Sequence, residues 1–349
     1  MFDPLLQETR TNIRTVRAMI ETNESLRRII LTKDSVRQNL EKNKEFANLV
    51  KNTPDKNDWR VYDHCATVTR LYAIYESFVE DIIKEWLKIL PELVSSYSDL
   101  EDKIQNTHRE GIGRLLLELK KNRYQNLSVE KVVQGFLSGV TNSKQYELLP
   151  EAFLMYEQNL RKDELNKLFA KTGIENAWNW IDNYREMKQF VQEIAGDQTT
   201  AEAELTQLVD YRNGAAHGSV GIDTILGNQE LLDLTDFVTA LCEALTELVS
   251  YQIICRKELI KQARKIGNIT KWYKQPKAAT AKIANINLSL GSKIWLVNEA
   301  SSYCQLAIIE SIQLDDIFQK EITINDETEV GLKFNTDARK GLSLYTTED

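Results

Sequence analysis

Apolar residues recur at helical spacing along most of the chain up to about residue 260. In the clearest run, 61–90, one broad apolar stripe follows the three- and four-residue spacing of an amphipathic helix. Its members are Val68, Leu71, Tyr72, Tyr75, Phe78, Val79, Ile82, Ile83 and Trp86. A second long run has apolar residues at 234, 238, 241, 245 and 248. Both runs predict core helices, and the segment 92–200 between them predicts several shorter ones.

The pattern changes near residue 283. The segments KIWLV, CQLAIIESI, FQKEITIN, TEVGLKF and GLSLYTT are short, rich in β-branched residues and partly alternating, which is typical of strands. Five short strands in this region predict a small barrel of SH3-like or OB-like type. We therefore expect a mainly α protein, with a helical domain over 1–282 and a small β domain over 283–349.

Composition narrows the class of protein. The chain has 349 residues with only 14 glycines and 5 prolines, which favours helices over loops. Its four cysteines are far apart and form no CxxC pair, so we expect no zinc site, no cofactor and no disulfide framework. A reducing cytoplasm fits this cysteine usage best. We expect no membrane partner, because there is no apolar run of about 18 residues and no secretory signal at the start.

Charge is distributed unevenly around a net value of -8. Residues 285–349 carry five basic and eleven acidic residues, so we expect the β domain to repel RNA and to dock a protein or the helical body. Residues 256–282 carry nine basic residues and one acidic one, interleaved with aromatic rings. Such a segment can follow an RNA backbone, although a solvated helix end and linker is the alternative. The candidate RNA-binding residues are Arg256, Lys257, Lys261, Arg264, Lys265 and Trp272.

Candidate chemistry lies in the stretch DYRNGAAHGSV (210–220), which places Arg212, Asn213 and His217 close together. On one straight helix, the arginine and the histidine would be separated by about 140°. Gly214 predicts a helix end between them, which would let the two side chains converge. The preceding Thr199 and Glu202 fit a capping box at the start of that helix.

Arginine and histidine together suit RNA cleavage without a metal. Attack of a ribose 2′-OH on the adjacent phosphate requires removal of one proton, delivery of another and stabilisation of negative charge. Histidine serves either proton step near neutral pH, and arginine offers a permanently charged fork to phosphate oxygens. Asn213 would bond the phosphate or fix the imidazole. In the alternative interpretation, His217 only caps a helix or completes a hydrogen bond.

The sequence RNGAAH resembles the R-x4–6-H motif of the HEPN superfamily, in the form where asparagine follows arginine and alanine precedes histidine. The segment 66–81 is similar to an early core helix of a HEPN branch from prokaryotic defence loci, in which an acidic residue follows an aromatic one. Here Glu76 follows Tyr75. The resemblance covers roughly 1–265 and implies a helical bundle in which the motif lies between the last two core helices.

The resemblance also implies function. Many HEPN domains are metal-independent endoribonucleases that act as homodimers with two motifs facing one cleft, in toxins or abortive-infection effectors. On this chain, Arg212 and His217 would be the catalytic pair, with Asn213 in support and Glu76 orienting either of them. Some members carry a modifiable tyrosine two positions after the histidine, where this chain has Ser219.

The sequence leaves two other functions open. The first is a catalytically inactive HEPN-like interaction or scaffold protein, and the second is nucleotide binding without cleavage. For the leading hypothesis, the expected partners are RNA and a second copy of the chain, and an antitoxin or another defence-system protein is a further candidate partner.

Overall fold

The computed structural model describes residues 2–31, 43–141, 145–194, 199–218 and 220–348. Within these residues, helices precede strands along the chain, so the expected order of a helical part and a C-terminal β part is confirmed. The helices are α1 (Asp3–Leu31), α2 (Lys44–Asn52), α3 (Lys56–Leu93), α4 (Asp102–Glu118), α5 (Val129–Thr141), α6 (Pro150–Phe153), α7 (Lys162–Lys171), α8 (Ala177–Asn183), α9 (Arg185–Gln189), α10 (Ala201–His217) and α11 (Asn228–Leu259).

Nine strands follow the helices in the described part of the chain. They are β1 (Ala263–Tyr273), β2 (Ala278–Ile283), β3 (Ile286–Ser289), β4 (Lys293–Asn298), β5 (Tyr303–Leu314), β6 (Ile317–Gln319), β7 (Glu321–Ile324), β8 (Thr328–Phe334) and β9 (Ser343–Thr347). The strands therefore begin at Ala263 rather than near residue 283, where the sequence pattern placed the change.

The chain forms two compact units that do not follow the helix–strand division. Unit 1 comprises Met1–Ile82, Tyr156–Lys167 and Glu186–Glu243. Unit 2 comprises Ile83–Met155, Leu168–Arg185 and Ala244–Asp349. The long helices α3 and α11 each contribute residues to both units. The segment 92–200, for which several shorter helices were predicted, is also divided between the two units.

Unit 1 is a helical bundle built from apolar faces that the sequence periodicity identifies. The apolar stripe of α3 is buried, and Leu71, Tyr75 and Val79 are fully inaccessible to solvent. Ion pairs tie α1 to its neighbours, because Arg10 bonds Glu243 of α11 at 2.6 Å and Arg27 bonds Asp63 of α3. Burial of a Leu-, Val- or Phe-sized side chain contributes about 1.5–3 kcal/mol, so the apolar faces dominate the stability of this bundle.

Helix α11 is long and apolar enough to cross a membrane by length and composition alone. However, 72% of its most apolar window is buried inside the protein. Thr235 and Cys242 are among its fully buried residues. These features are typical of a core helix.

The β part of unit 2 is a closed antiparallel barrel. Six strands pair in the order β4-β9-β1-β2-β8-β5, and a pairing of β5 with β4 closes the ring. The short β6 extends the sheet beyond β5, and β3 pairs with β7 separately. Apolar residues from alternate positions fill the interior, including Ile294, Leu296, Ile312, Phe334 and Leu344. The expected small barrel is therefore present, with six strands in its wall rather than five.

Strands β1 and β2 were not expected in the basic segment. In β1 the buried residues Ala263, Ile266 and Ile269 are three positions apart, because the register of this strand shifts. In β2 the inward positions alternate, but Ala279 and Ala281 are small, so the hydrophobic strand signal is weak in both. Gly267 lies where β1 approaches β2 so closely that a Cβ atom would meet the Lys282 carbonyl oxygen at 1.9 Å. This glycine therefore marks a backbone contact inside the sheet.

The position of β1 and β2 also corrects the charge expectation for the barrel. Residues 263–349 contain eleven basic and eleven acidic residues, because β1, β2 and their connection add basic side chains only. The barrel is thus neutral as a whole. The argument that it repels RNA through an excess of six negative charges no longer holds.

Within unit 2, one buried carboxylate joins α11 to the barrel. The Oε2 atom of Glu247 accepts from the backbone N–H of Cys304 at 2.8 Å, and its Oε1 atom accepts from Gln305 Nε2 at 2.8 Å. Arg185 donates to both oxygens, at 3.1 and 2.6 Å. A buried charge is tolerated when it is paired and fully bonded, so this network fixes the packing of β5 against the helix.

Unit 2 also contains a fully buried histidine. His108 stacks on Phe153 with ring centroids 5.6 Å apart, its Nε2 accepts from the Leu149 N–H at 3.3 Å, and Tyr97 Oη lies 3.2 Å from its Nδ1. Burial lowers the pKa of His108 to about 4, from an ordinary value of 6.5. Folding therefore favours the neutral imidazole.

This burial predicts a pH-dependent stability. The unfolded chain binds a proton at His108 below pH 6.5 more readily than the folded chain, so the free energy of unfolding falls as the pH drops from 6.5 towards 4. We expect a loss of about 1 kcal/mol from this residue between pH 6.5 and 5.5, measured by urea unfolding.

The matched variant is His108→Leu, which should lose less stability over the same pH interval. Some dependence remains, because burial also lowers the pKa of His64. Identical pH profiles for the variant and the wild type would contradict the assignment of the effect to His108.

Candidate active site

Helix α10 carries the motif and runs straight through it. Thr200 caps its start, where the side-chain oxygen accepts from the Ala203 N–H at 3.1 Å, so the cap lies one residue after the expected Thr199. The helix ends at His217 rather than at Gly214. Gly218 stops it with a left-handed φ of 66° and donates its N–H to the Gly214 carbonyl, as glycine does at many helix ends.

The uninterrupted helix still presents the motif to one cleft. Arg212, Asn213 and His217 all line a cavity of about 920 Å³ in unit 1. At 100° per residue, Asn213 and His217 lie about 40° apart and all three residues fall within an arc of about 140°. The three side chains therefore line one cleft without the expected helix break at Gly214.

The Arg212 guanidinium is held by neutral groups. Its Nη1 donates to Asn159 Oδ1 at 3.3 Å and to Asn213 Oδ1 at 3.1 Å. The Asn159 Nδ2 donates to the same Asn213 oxygen at 3.1 Å, which closes a triangle of three side chains. The guanidinium carbon also lies 5.0 Å from the centre of the Tyr72 ring. We call Asn159, Asn213 and Tyr72 the neutral cradle of Arg212.

The other basic side chains of the cleft have carboxylate partners. The pairs are Arg161–Asp210 at 2.5 Å, Lys162–Glu202 at 2.5 Å and Lys167–Glu164 at 2.7 Å. Among the described residues, no carboxylate forms an ion pair with Arg212. Among the described basic side chains of the cleft, Arg212 is therefore the one whose positive charge a bound anion would neutralise.

The segment between α6 and α7 brings Asn159 to the motif. Both backbone polar groups of the buried Leu160 are bonded by tyrosines of α3: its N–H donates to Tyr72 Oη at 3.0 Å and its carbonyl accepts from Tyr75 Oη at 3.1 Å. Arg161 then bonds the Thr206 carbonyl of α10 at 3.3 Å. Residues 159–161 are thus fixed between α3 and α10 by backbone hydrogen bonds.

His217 occupies the outer end of this arrangement. Its side chain is exposed at the last residue of α10, and no described residue forms a hydrogen bond with it. An imidazole in this position is accessible to a ligand in the cleft. Ser219, at the site of the family tyrosine, lies outside the described residues.

A family model described as RiboL-PSP-HEPN matches residues 34–251, more than half of the chain. The chain belongs to the HEPN superfamily. No curated protein and no solved structure matches it. The matched range begins after α1, includes residues 210–220 and ends within α11, so the barrel lies outside it.

Glu76, the acidic residue expected to orient the HEPN pair, lines the same cleft. Its Oε1 accepts from Tyr72 Oη at 3.1 Å, while the Tyr72 ring lies beside Arg212. Within the described residues, no hydrogen bond joins Glu76 to Arg212 or His217. Burial, together with the adjacent Glu76 carboxylate, raises the pKa of Tyr72 to about 12. Glu76 therefore contacts the cradle through a neutral phenol.

The six candidate RNA-binding residues belong to unit 2. Arg256 donates to Glu101 at 3.2 Å and to the Gly173 carbonyl at 3.3 Å, and Trp272 stacks on Phe334 at the barrel core. These two side chains are engaged in contacts within unit 2. Lys261, Arg264 and Lys265 are exposed, whereas Lys257 is half-buried.

His64 is the third histidine, and it supports the helix that carries the HEPN motif. It is fully buried on α3, and its Nδ1 accepts from the Leu226 N–H at 3.2 Å. Its ring meets Tyr211 edge-on, with centroids 5.2 Å apart. Burial lowers the pKa of His64, so the neutral form packs behind the motif. We assign it a structural role.

Asn159 is the site residue that sequence analysis missed. The stretch YEQNLR (156–161) has no periodic pattern, and nothing in its composition relates it to a motif more than fifty residues later. A paired asparagine can be identified only when the fold brings the residues together. For metals, no suitable cluster of three histidine, cysteine or acidic side chains occurs in the described parts of the chain.

Proposed function

We propose that this HEPN protein is a metal-independent endoribonuclease that leaves 2′,3′-cyclic phosphate and 5′-hydroxyl ends. The observation that carries the proposal is the pairing of an uncompensated arginine with an exposed histidine. Arg212 is held by neutral groups, and His217 lines the same cleft on the same helix. Both groups suit the cleavage chemistry near neutral pH.

In the proposed reaction, Arg212 binds the scissile phosphate. Asn159 and Asn213 engage one of its terminal nitrogens, Nη1. The other terminal nitrogen and Nε have no described acceptor, so they present a fork that matches two phosphate oxygens. The same fork would stabilise the negative charge that builds on the non-bridging phosphate oxygens when the ribose 2′-OH attacks phosphorus and the bond to the 5′ oxygen breaks.

His217 supplies a proton-transfer step in this proposal. It either removes the proton from the 2′-OH or delivers one to the departing 5′ oxygen. The Asn213 Nδ2 has no acceptor among the described residues, and it would donate to a phosphate oxygen or to the substrate ribose. Glu76 would act indirectly by holding Tyr72 under the guanidinium.

The charge of the cleft restricts the proposed substrate. Its lining residues comprise four basic side chains and five carboxylates, namely Glu76, Glu157, Asp163, Glu164 and Glu202. A continuous polyanion along this surface would meet repulsion. We therefore propose single-stranded RNA as the substrate, with one phosphate at Arg212 and its neighbours directed away from the cleft.

A toxin or abortive-infection effector is the proposed biological role, and an antitoxin or another defence protein is the proposed partner. RNA cleavage in the cytoplasm would slow growth of the cells that express the chain. His217→Ala should abolish that effect without unfolding the protein, because the side chain is exposed and contacts no described partner.

We expect purified protein to cleave total RNA in excess chelator. His217→Ala and Arg212→Ala should each reduce the rate at least ~100-fold, because each removes one of the two groups that act on the phosphate. The products should carry 2′,3′-cyclic phosphate and 5′-hydroxyl ends, which end-specific labelling with and without phosphatase treatment identifies.

The control is Glu157→Gln, an exposed charge of the cleft rim that should leave the fold unchanged. Circular dichroism checks the folding of each variant. Absence of cleavage under all conditions by a folded wild-type chain would reject the nuclease and favour a catalytically inactive binding protein. Cleavage that persists in His217→Ala would reject the assigned chemistry.

We further propose that the active unit is a homodimer. One imidazole cannot remove a proton and deliver another in the same step, and His64 and His108 are both fully buried. A two-fold axis beside the motif would bring a second His217 to the same phosphate. The apolar residues of α10 are buried in unit 1, so the contact would involve polar outer residues such as Gln207 and Asp210.

Subunit mixing tests the shared site. Chains that carry both Arg212→Ala and His217→Ala are co-assembled with wild type, and the heterodimers are purified through two different affinity tags. We expect each heterodimer to have far less than half of the wild-type activity, since every composite site lacks one histidine. Heterodimers that retain half of the activity would show that the two sites work independently.

A further inference from the structure

Arg212 differs from the other basic side chains of the cleft, because its hydrogen-bond acceptors are neutral. Every other basic side chain that lines the cleft is matched with a carboxylate 2.5 to 2.7 Å away. At Arg212 the equivalent positions are occupied by the amide oxygens of Asn159 and Asn213. An amide orients a guanidinium through a hydrogen bond as a carboxylate does, but it leaves the net charge unchanged.

Asn159 is the member of the cradle that lies outside the motif. It bonds both Arg212 and Asn213, so it orients the two motif side chains relative to each other. Its own position is fixed by the adjacent Leu160, whose backbone N–H and carbonyl are both bonded by buried tyrosines. A residue on a tethered segment positions its contacts more strictly than one on a free loop.

We propose that Asn159 is a positioning residue that keeps Arg212 oriented and uncompensated, so that the cleft accepts a single phosphate group. The inference about RNA as the source of that phosphate rests on the proposed nuclease function. The inference about a phosphate-binding cradle rests on the geometry of Asn159, Arg212 and Asn213 alone. The two are therefore tested by different measurements.

The decisive variant is Asn159→Asp, which has the same shape but adds a negative charge next to the guanidinium. The new carboxylate would form an ion pair with Arg212. The positive charge of Arg212 would then no longer be available to bind phosphate. The variant gains an ion pair with Arg212 but loses the hydrogen bond that Asn159 Nδ2 donates to Asn213 Oδ1, so we expect a stability close to that of wild type. An asparagine that served only to stabilise the fold would change stability when replaced, whereas the proposed role requires a change in phosphate binding at nearly unchanged stability.

The chain offers a matched control one residue away. Gln158 is exposed and lines the same cleft, and the described hydrogen bonds of Arg212 go to Asn159 and Asn213 rather than to Gln158. Gln158→Glu adds the same charge to the same cleft without reaching the cradle. Asn159→Ala provides a second comparison, because it removes the hydrogen bonds but leaves Arg212 uncompensated.

Phosphate binding is measured by titrating inorganic phosphate while following the imidazole proton signals by NMR. The chain has three histidines, and the buried His64 and His108 act as internal controls. We expect saturable shifts of the His217 signals in wild type and in Gln158→Glu. Asn159→Ala should bind several-fold more weakly than wild type, because Arg212 loses its orienting hydrogen bond, and Asn159→Asp should bind at least ~10-fold more weakly than wild type.

RNA binding is measured separately with a short labelled single-stranded oligonucleotide, and every chain carries His217→Ala so that the RNA is not consumed. Asn159→Asp should lower the affinity at least ~10-fold and reduce the slope of log affinity against log salt by about 0.7, which corresponds to one phosphate contact. Gln158→Glu should change the affinity less than about 2-fold.

The outcomes separate the two proposals. Equal phosphate binding by Asn159→Asp and Gln158→Glu would overturn the role of Asn159. Phosphate binding that depends on Asn159, in a wild-type chain that neither binds nor cleaves RNA, would support the cradle and reject the nuclease. A wild-type chain whose His217 signals do not respond to phosphate would overturn the cradle itself.

Discussion

Arg212 retains an available positive charge because the described groups that hold it are all neutral. Two amide oxygens and a tyrosine ring orient the guanidinium without an ion pair. The other cations of the cleft are paired with carboxylates, and charge pairing at Arg212 would leave the cleft without a site for an anion. The proposed chemistry of this HEPN protein therefore depends on the absence of a carboxylate at one position.

The packing of unit 1 places neutral groups, rather than a carboxylate, next to Arg212. The apolar stripe of α3 buries Tyr72 and Tyr75 in the core, but their hydroxyl groups reach the backbone of Leu160. A fully satisfied backbone can be buried at little cost, so an irregular segment can lie against the core and present Asn159. Glu76 accepts a hydrogen bond from Tyr72, whose ring lies beside Arg212, so this carboxylate approaches the arginine without an ion pair.

The sequence predicts the features that depend on local patterns. Periodicity identified the core helices, alternation identified the later strands, and the resemblance of RNGAAH pointed to the superfamily that the family match shows. Features that depend on tertiary contacts were missed. The register of β1 shifts and β2 uses small inward residues, so neither strand shows a clear alternating pattern, and Asn159 meets Arg212 only in the folded chain. Gly214 suggested a helix end, but a glycine is tolerated inside a helix, and Gly218 has the left-handed conformation that stops it.

The central claim is that Arg212 acts as an oriented fork on phosphate, with His217 beside it. The most direct measurement is the single-turnover cleavage rate of Arg212→Lys with a short single-stranded RNA. Lysine keeps the charge but loses the planar fork and both amide contacts in their present geometry, so we expect the rate to fall ~100-fold while the chain remains folded. A lysine variant that cleaves as fast as wild type would contradict the claim, because a point charge alone would then be sufficient.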